Sequence, residues 1–322
     1  MTVHDLPRLS LIVPCCNEAE VLSTTHARLL SVLESTGKTW EILYIDDGSH
    51  DRTWVLIGSF AAPDPRIRGL RLSRNFGHQR AVSAGLDAAR GQVVVIIDAD
   101  LQDPPELIPA MLDRWRQGAD VVYGQRRTRA GETGFKIATA RLFYRFLDRL
   151  SDVRIPLDTG DFRLMDRTVV EAVKAMPERD RFLRGMVAWA GFAQEALPYD
   201  RDSRAAGVTK YPLSRMIAFA ADALFSFSVI PLRFATWMGF ATSGLAALLI
   251  VYALAMRVVV NHWVEGWTLL IIAVSFFGGV QLICLGIIGE YLGRTYHEAK
   301  RRPLYVVRAD TAQPSPSPRS ER

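Results

Sequence analysis

Asp98-Ala99-Asp100-Leu101-Gln102-Asp103-Pro104-Pro105 stands directly after an apolar run, Val93-Val94-Val95-Ile96-Ile97. In extended backbone, side chains two apart share a face, so Asp98, Asp100 and Gln102 can point together. Oxygen donors without Cys or His suit a hard cation, Mg2+ or Mn2+. Such a cation neutralises the charge that builds on a departing diphosphate. A solvated acidic turn is the plain alternative for an isolated Asp-x-Asp. Two carboxylates closing an otherwise wholly apolar strand favour the metal.

Asp46-Asp47-Gly48-Ser49 closes a second apolar run in the same way, although Asp-Gly is also ordinary turn chemistry. Pro14-Cys15-Cys16-Asn17-Glu18 closes a third, where Asn17 could equally be a helix N-cap. The three endings are more specific together than apart. A parallel sheet sets such ends along one edge, and α/β proteins bind ligands there.

The elements that must position these groups follow from the pattern. Leu9–Pro14, Glu41–Asp46, Arg68–Ser73, Val93–Asp98 and Asp120–Gly124 read as strands. Glu18–Leu33 and Gln79–Ala89 read as helices between them. Alternating strands and helices predict a parallel α/β sheet. Ala130–Leu150 reads as an amphipathic helix, and Leu213–Val229 as an interfacial helix lying in a membrane surface, with a buried helix of the soluble domain as the alternative.

No charge occurs from Phe234 to Met256 or from Gly266 to Gly289, and each stretch exceeds the ~20 residues that span ~30 Å of hydrocarbon. The 322-residue chain carries a formal net charge of +5. Its cations thicken beside these apolar stretches, at Arg204, Lys210, Arg215, Arg233, Arg294, Lys300, Arg301 and Arg302. That placement suits an anionic lipid surface or a lipid phosphate, not nucleic acid, which takes a basic stripe interleaved with aromatics. Basic flanks put both termini in the cytoplasm. The 3 cysteines, Cys15, Cys16 and Cys284, offer neither a disulfide framework nor zinc spacing, which suits a reducing compartment. Met1–Leu9 holds no apolar stretch to serve as a signal peptide. The expected location is the inner (plasma) membrane, multi-pass, with a cytoplasmic catalytic domain. The expected organisation is residues 1–165 and 166–233 as that domain, 234–256 and 266–289 as spans, and 290–322 as a basic tail, disordered after Pro303.

Several segments together resemble family 2 glycosyltransferases, in particular the polyisoprenyl-phosphate subgroup that includes undecaprenyl-phosphate glucosyltransferases and dolichol-phosphate mannose synthases. They are VPCCNE, IDDGSHDRT, LSRNFGHQRAVSAGLDAARG, IIDADLQDPPE, DTGDFRLMDR, GVTKYPLSR and IIGEYLGRTYHEAKRRPLY, spread from Leu9 to Tyr305. Cys16 departs from the tyrosine usual at its place in the family. The resemblance implies a GT-A-type (Rossmann-like) α/β fold, a nucleotide-sugar donor and a polyisoprenyl phosphate acceptor. By it, Pro14, Glu18, Asp46 and Asp47 line the nucleoside pocket. Asp98 and Asp100 hold the metal with help from Gln102, and Arg126 meets the diphosphate. Asp161 is the family's proposed catalytic base, with Asp158 as its understudy, and Lys210 and Arg215 are lipid-side cations. A phosphomonoester is already largely dianionic at neutral pH, so Asp161 has little nucleophile to create. His78 is read as part of the Arg74–His78 loop, not as a catalytic group.

The reaction expected is inverting transfer of a hexose, glucose from UDP-glucose, to undecaprenyl phosphate. GDP-mannose, a UDP-4-amino-arabinose derivative or a UDP-N-acetylhexosamine are the alternative donors. A processive polysaccharide synthase needs more spans and a Q-x-x-R-W motif, but Met111 precedes Arg114-Trp115 where that motif has glutamine. A transporter or flippase leaves the aspartate pair unexplained. A dinucleotide oxidoreductase lacks G-x-G-x-x-G after the first strand. The sequence leaves the oligomeric state open, a homo-oligomer included.

Overall fold

The computed structural model describes residues 8–126, 159–179, 181–200, 230–255, 258 and 267–312. The helices expected over 130–150 and 213–229 lie outside the described residues, as do Arg127, Arg129, Asp158, Arg204, Lys210 and Arg215.

Strands β1 (Leu9–Cys15), β2 (Trp40–Asp46), β3 (Ile67–Leu72), β4 (Val93–Ile96), β5 (Val121–Arg126), β6 (Thr159–Asp166), β7 (Gln194–Tyr199) and β8 (Val307–Asp310) form one sheet in the order β7-β5-β6-β4-β1-β2-β3-β8. Helices α1 (Leu22–Ser35), α2 (Thr53–Ala61), α3 (His78–Ala88), α4 (Ile108–Arg116), α5 (Arg167–Ala175) and α6 (Leu183–Trp189) accompany them. Strands β1, β2 and β4 are buried along their whole length, which is why they read as continuous apolar runs. Their side chains alternate between two cores. Leu9, Leu11, Val13, Ile42 and Tyr44 face one core with α1, α2 and α4. Ile12, Leu43, Ile45, Val94 and Ile96 face the other with α3, α5 and α6. Each fully buried Val, Leu or Ile contributes about 1.5–3 kcal/mol, so the central strands and their helices form one cooperative block.

The sheet is mixed and not parallel throughout, as the strand and helix alternation alone predicted. β4-β1-β2-β3 is parallel, but β6 runs antiparallel between β4 and β5, and β8 runs antiparallel to β3. The reversal of β6 has a consequence for chemistry. It brings the start of that strand, Gly160 and Asp161, to the edge where the parallel strands end.

β8 corrects the expectation of disorder over residues 303–312, and residues 313–322 lie outside the described ones. Val307–Asp310 pairs with the otherwise open edge of β3, a position where an unpaired strand invites aggregation. Arg68 holds Asp310 through Nε at 2.9 Å and through a second, shorter guanidinium contact. Gly69 N donates to Thr311 Oγ1 at 2.8 Å, and Tyr305 OH donates to Asp87 at 2.7 Å. Burial alone would raise the Asp310 carboxyl, but the Arg68 and Ala312 hydrogen bonds and the Arg68 charge bring it below the usual range. A depressed carboxyl contributes stability above its unfolded value, about 3.9, and loses it as pH falls below that value. Asp310→Ala is expected to cost about 1–3 kcal/mol at pH 7 by leaving a partly buried guanidinium without its acceptor. Denaturant titration should show that deficit shrinking toward pH 3. A deficit independent of pH contradicts the ion pair as its source.

The chain divides into two compact units, one holding the sheet and the other the apolar segments. In the second, α7 (Ile230–Ala255) and α8 (Trp267–Ala299) touch each other, with Cys284 Sγ near Ala235 O at 3.5 Å. Both are long and apolar enough to cross a membrane, over Ile230–Tyr252 and Ile272–Ala299. They are not buried core helices. Trp237, Phe240, Leu248, Ile250 and Leu282 point outward, an arrangement that suits hydrocarbon and marks both as candidate spans.

Candidate active site

Parallel register sets the strand ends level. Cys15 of β1 pairs with Asp46 of β2, Ile12 pairs with Ile96 of β4, and Ile97 N donates to Ile12 O at 3.0 Å. The chain leaving these ends lines one cleft of about 240 Å3. Pro14, Cys16 and Glu18 come from the end of β1, Asp47 from β2, and Asp98 and Asp100 from β4. Asn75, Gly77 and His78 close it from the β3–α3 connection.

Two non-glycine residues here have left-handed backbone, Asn17 at φ 58° and Leu101 at φ 57°. Such conformations cost of order 1–3 kcal/mol and persist where the surroundings impose them. Asn17 does not cap α1, whose N-cap is Val21. Its backbone N–H donates to Ser49 Oγ at 2.9 Å and its Oδ1 accepts from His50 N at 2.9 Å, tying the ends of β1 and β2 together. At Leu101 the chain turns sharply, and Asp100 Oδ1 accepts from Gln102 N at 3.1 Å.

The Asp46-Asp47 pair divides. Asp46 is fully buried, accepts from Ser49 N at 3.0 Å and pairs with Arg71 Nε at 3.1 Å, and it does not line the cleft. Asp47 does line it, and its two oxygens accept from Phe76 N at 2.7 Å and Gly77 N at 2.8 Å. Gly48 between the strand end and these contacts has φ 68°, and a Cβ there would stand 2.4 Å from the Arg74 carbonyl carbon. Gly48→Ala therefore forces backbone apart as well as a left-handed alanine, and should lower unfolding free energy by at least about 1–3 kcal/mol. Thermal denaturation of the variant checks this; an unchanged midpoint overturns it.

Asp161 lies across the cleft edge from Asp98, because β6 pairs Arg163 with Ile96 and the same register continues outward. His78 spans the two carboxylates, with Nε2 3.0 Å from Asp161 and 3.7 Å from Asp98. Arg184 Nε donates to Asp161 Oδ1 at 2.8 Å, Gln79 Nε2 donates to Oδ2 at 3.1 Å, and Arg163 stands 4.0 Å away. Burial alone would raise the Asp161 carboxyl, but His78, Arg184 and Arg163 hold it far below the usual range. Burial likewise opposes the charge on His78, and the Asp161 hydrogen bond and Asp98 charge outweigh it, so its value is raised. Asp98 is pushed up to about 6, first by burial, against His78 and with Asp161, Asp103 and Asp100 adding to the rise. Arg163 is lowered to about 10 by burial.

Among the described residues, no three His, Cys, Asp or Glu side chains form a ready-made metal cage. What the chain offers is two carboxylates at the cleft, Asp98 and Asp100, and the Gln102 amide oxygen, which is buried without a hydrogen-bond partner. Hard oxygen donors with an unsatisfied carbonyl fit Mg2+ or Mn2+, which take one or two protein carboxylates and complete their shell with substrate phosphate and water. Arg126 closes β5 opposite Tyr199 of β7, and its side chain lies outside the described ones. Pro14, Glu18, Asp47, Asp98 and Asp100 are thus brought to one cleft and Asp161 to its edge, while Asp46 is turned into the fold.

The sequence reading set His78 aside as a loop residue and did not single out Gln79 or Arg184. The first two begin α3 directly after a strand-end loop, a visible signal. Arg184 has none, since its partner stands elsewhere in the chain.

Residues 10–174 match the model of glycosyl transferase family 2. An uncharacterized glycosyltransferase of Bacillus subtilis, YkcC, is 46% identical over 92% of this chain and 92% of its own length. A prophage bactoprenol glucosyl transferase homolog of Escherichia coli is 38% identical over 94% of this chain and 98% of its own. Among solved structures, glucosyl-3-phosphoglycerate synthase from Mycobacterium tuberculosis in complex with Mn2+, UDP and glucosyl-3-phosphoglycerate is similar at 20% identity and TM-score 0.45, over 68% of this chain and 78% of that one.

Proposed function

Because the chain belongs to glycosyl transferase family 2 and is a glycosyltransferase, we propose that it transfers glucose from UDP-glucose to a polyisoprenyl phosphate, undecaprenyl phosphate, on the cytoplasmic leaflet. The observation that carries this reading is that Asp98 and Asp100 line one cleft and His78, which also lines it, spans Asp98 and Asp161. Relatives named as bactoprenol glucosyl transferases support the acceptor and the sugar, and the two apolar helices support work at a membrane.

Pro14, Glu18 and Asp47 receive the nucleoside, and Asp46 fixes the turn that carries Asp47. Arg126 meets the diphosphate, and Lys210 and Arg215 attract the lipid-borne phosphate. Asp98, Asp100 and Gln102 are the residues to hold a divalent cation, which when bound offsets charge on the leaving diphosphate. An acceptor phosphate oxygen bonds to the anomeric carbon as the bond from that carbon to the diphosphate oxygen breaks. The electron pair leaves with the nucleoside diphosphate, and one displacement turns an α-linked donor into a β-linked lipid-phosphate sugar. The acceptor arrives as an anion, so it brings its own nucleophile.

A donor panel tests the sugar: UDP-glucose, GDP-mannose, a UDP-4-amino-arabinose derivative and UDP-N-acetylhexosamines, each with purified protein and undecaprenyl phosphate. UDP-glucose should give the highest kcat/KM. Product from another nucleotide-sugar alone overturns the donor assignment.

A further inference from the structure

Asp161 is held from several directions. Its Oδ1 meets Arg184 Nε from α6 at 2.8 Å, and its Oδ2 meets His78 Nε2 at 3.0 Å and Gln79 Nε2 at 3.1 Å, both from the start of α3. The Gln79 amide is fixed at its other end as well, because Oε1 accepts from Leu183 N at 3.1 Å. A flipped amide would lose both bonds and set its oxygen against a carboxylate. Leu183 and Arg184 are the first residues of α6, so one turn of helix reaches Asp161 twice, once directly and once through Gln79.

This arrangement has no evident packing purpose. A buried ion pair is weak evidence for stability, since apolar residues of similar volume serve as well or better. The cluster sits where β4 ends and β6 begins at the cleft, not in either apolar core. A carboxylate whose two oxygens already accept three donors is placed with high definition and has little capacity left to take a proton.

We propose that Gln79 and Arg184 are positioning residues of the transfer reaction, a brace from α6 that sets the carboxylate of Asp161 and, through it, the ring of His78. The proposal rests on the functional reading above and deepens it: Asp161 acts as a fixed anion that orders the cleft edge, and the brace decides where that anion stands. Neither residue needs to touch the nucleotide.

A mutant cycle tests it, using full-length protein, UDP-glucose and undecaprenyl phosphate, with UDP affinity measured in parallel by calorimetry. Arg184→Gln, Gln79→Met and Asp161→Asn should each lower kcat by roughly 10- to 100-fold, the scale expected of a displaced reacting group. The KM for UDP-glucose and the affinity for UDP should stay within about threefold, since neither Gln79 nor Arg184 lines the cleft. Arg184→Lys should recover part of the kcat lost in Arg184→Gln. The double variant Asp161→Asn with Arg184→Gln should fall within about threefold of Asp161→Asn alone, because residues acting as one unit are not additive. Losses that multiply in the double variant overturn the brace. So does an unchanged kcat in Arg184→Gln, or a loss of UDP affinity that parallels the loss of kcat, which marks a merely structural role. A wild-type protein inactive with every donor overturns the functional assignment and the brace together. An active wild type with the wrong variant pattern overturns the brace alone.

Discussion

Asp100→Asn is expected to reduce kcat/KM for glucosyl transfer by roughly a thousandfold, the scale of removing a group that stabilises charge in the transition state. The substitution keeps size and the capacity to accept from Gln102 N, a hydrogen bond through which Asp100 shapes its turn. The fold should therefore survive, with a denaturation midpoint close to the parent's. What is lost is one of two anionic oxygens offered to a hard cation. Asp98→Asn should fall similarly, but with a distinguishing feature. Burial first, with Asp161, Asp103 and Asp100 adding, raises Asp98 to about 6, so its neutral replacement removes a desolvated charge and should leave stability unchanged or higher. Steady-state assays across Mg2+ and Mn2+ concentration check both. Activity in Asp100→Asn within tenfold of the parent, at any metal concentration, contradicts the role proposed for this carboxylate.

Asp161→Ala should have the second large effect, on stability as well as on rate. The substitution strips Arg184, Arg163 and His78 of their shared counter-ion, and Arg163 is almost wholly buried at 4% exposure. Breaking a buried pair by removing one partner typically costs about 3–5 kcal/mol, because the stranded charge stays out of water. Water entering from the cleft relieves Arg184 and His78, so the lower end of that range is expected. Asp161→Asn keeps the shape and one acceptor oxygen and should lose less. Denaturant titrations of the two variants provide the comparison. A parent-like midpoint in Asp161→Ala contradicts the ion cluster as a determinant of stability.

Much of the reaction edge was legible in the sequence because short apolar runs closed by polar residues leave a strong local mark. Val93–Ile97 before Asp98 and Leu9–Val13 before Pro14 both announce buried strands closed by polar residues, and β4 and β1 are buried along their whole length. The fate of Asp46 and Asp47 was not legible. Neighbours on a strand face opposite sides, so one of the pair had to turn from the cleft, but only the Arg71 and Ser49 contacts decide which. The antiparallel course of β6 escaped because direction within a sheet has no local signature in Thr159–Asp166. The β8 strand escaped because Val307–Asp310 is short and polar, and is held by an arginine far away in the chain. Arg184 is invisible for the same reason: its partners Asp161 and Gln79 are brought to it only by the packing of α3 and α6 on one sheet face.

The most direct test follows radiolabel from UDP-glucose into an organic-extractable lipid made by the purified full-length protein with undecaprenyl phosphate, and reads the anomeric configuration of the product by proton NMR. Labelled lipid-phosphate glucose with a β linkage should form in Mg2+ or Mn2+, disappear in EDTA and be absent when Asp98 and Asp100 are both asparagine. An α-linked product, or an undiminished yield in EDTA or in the double asparagine variant, contradicts a single displacement carried out at these carboxylates.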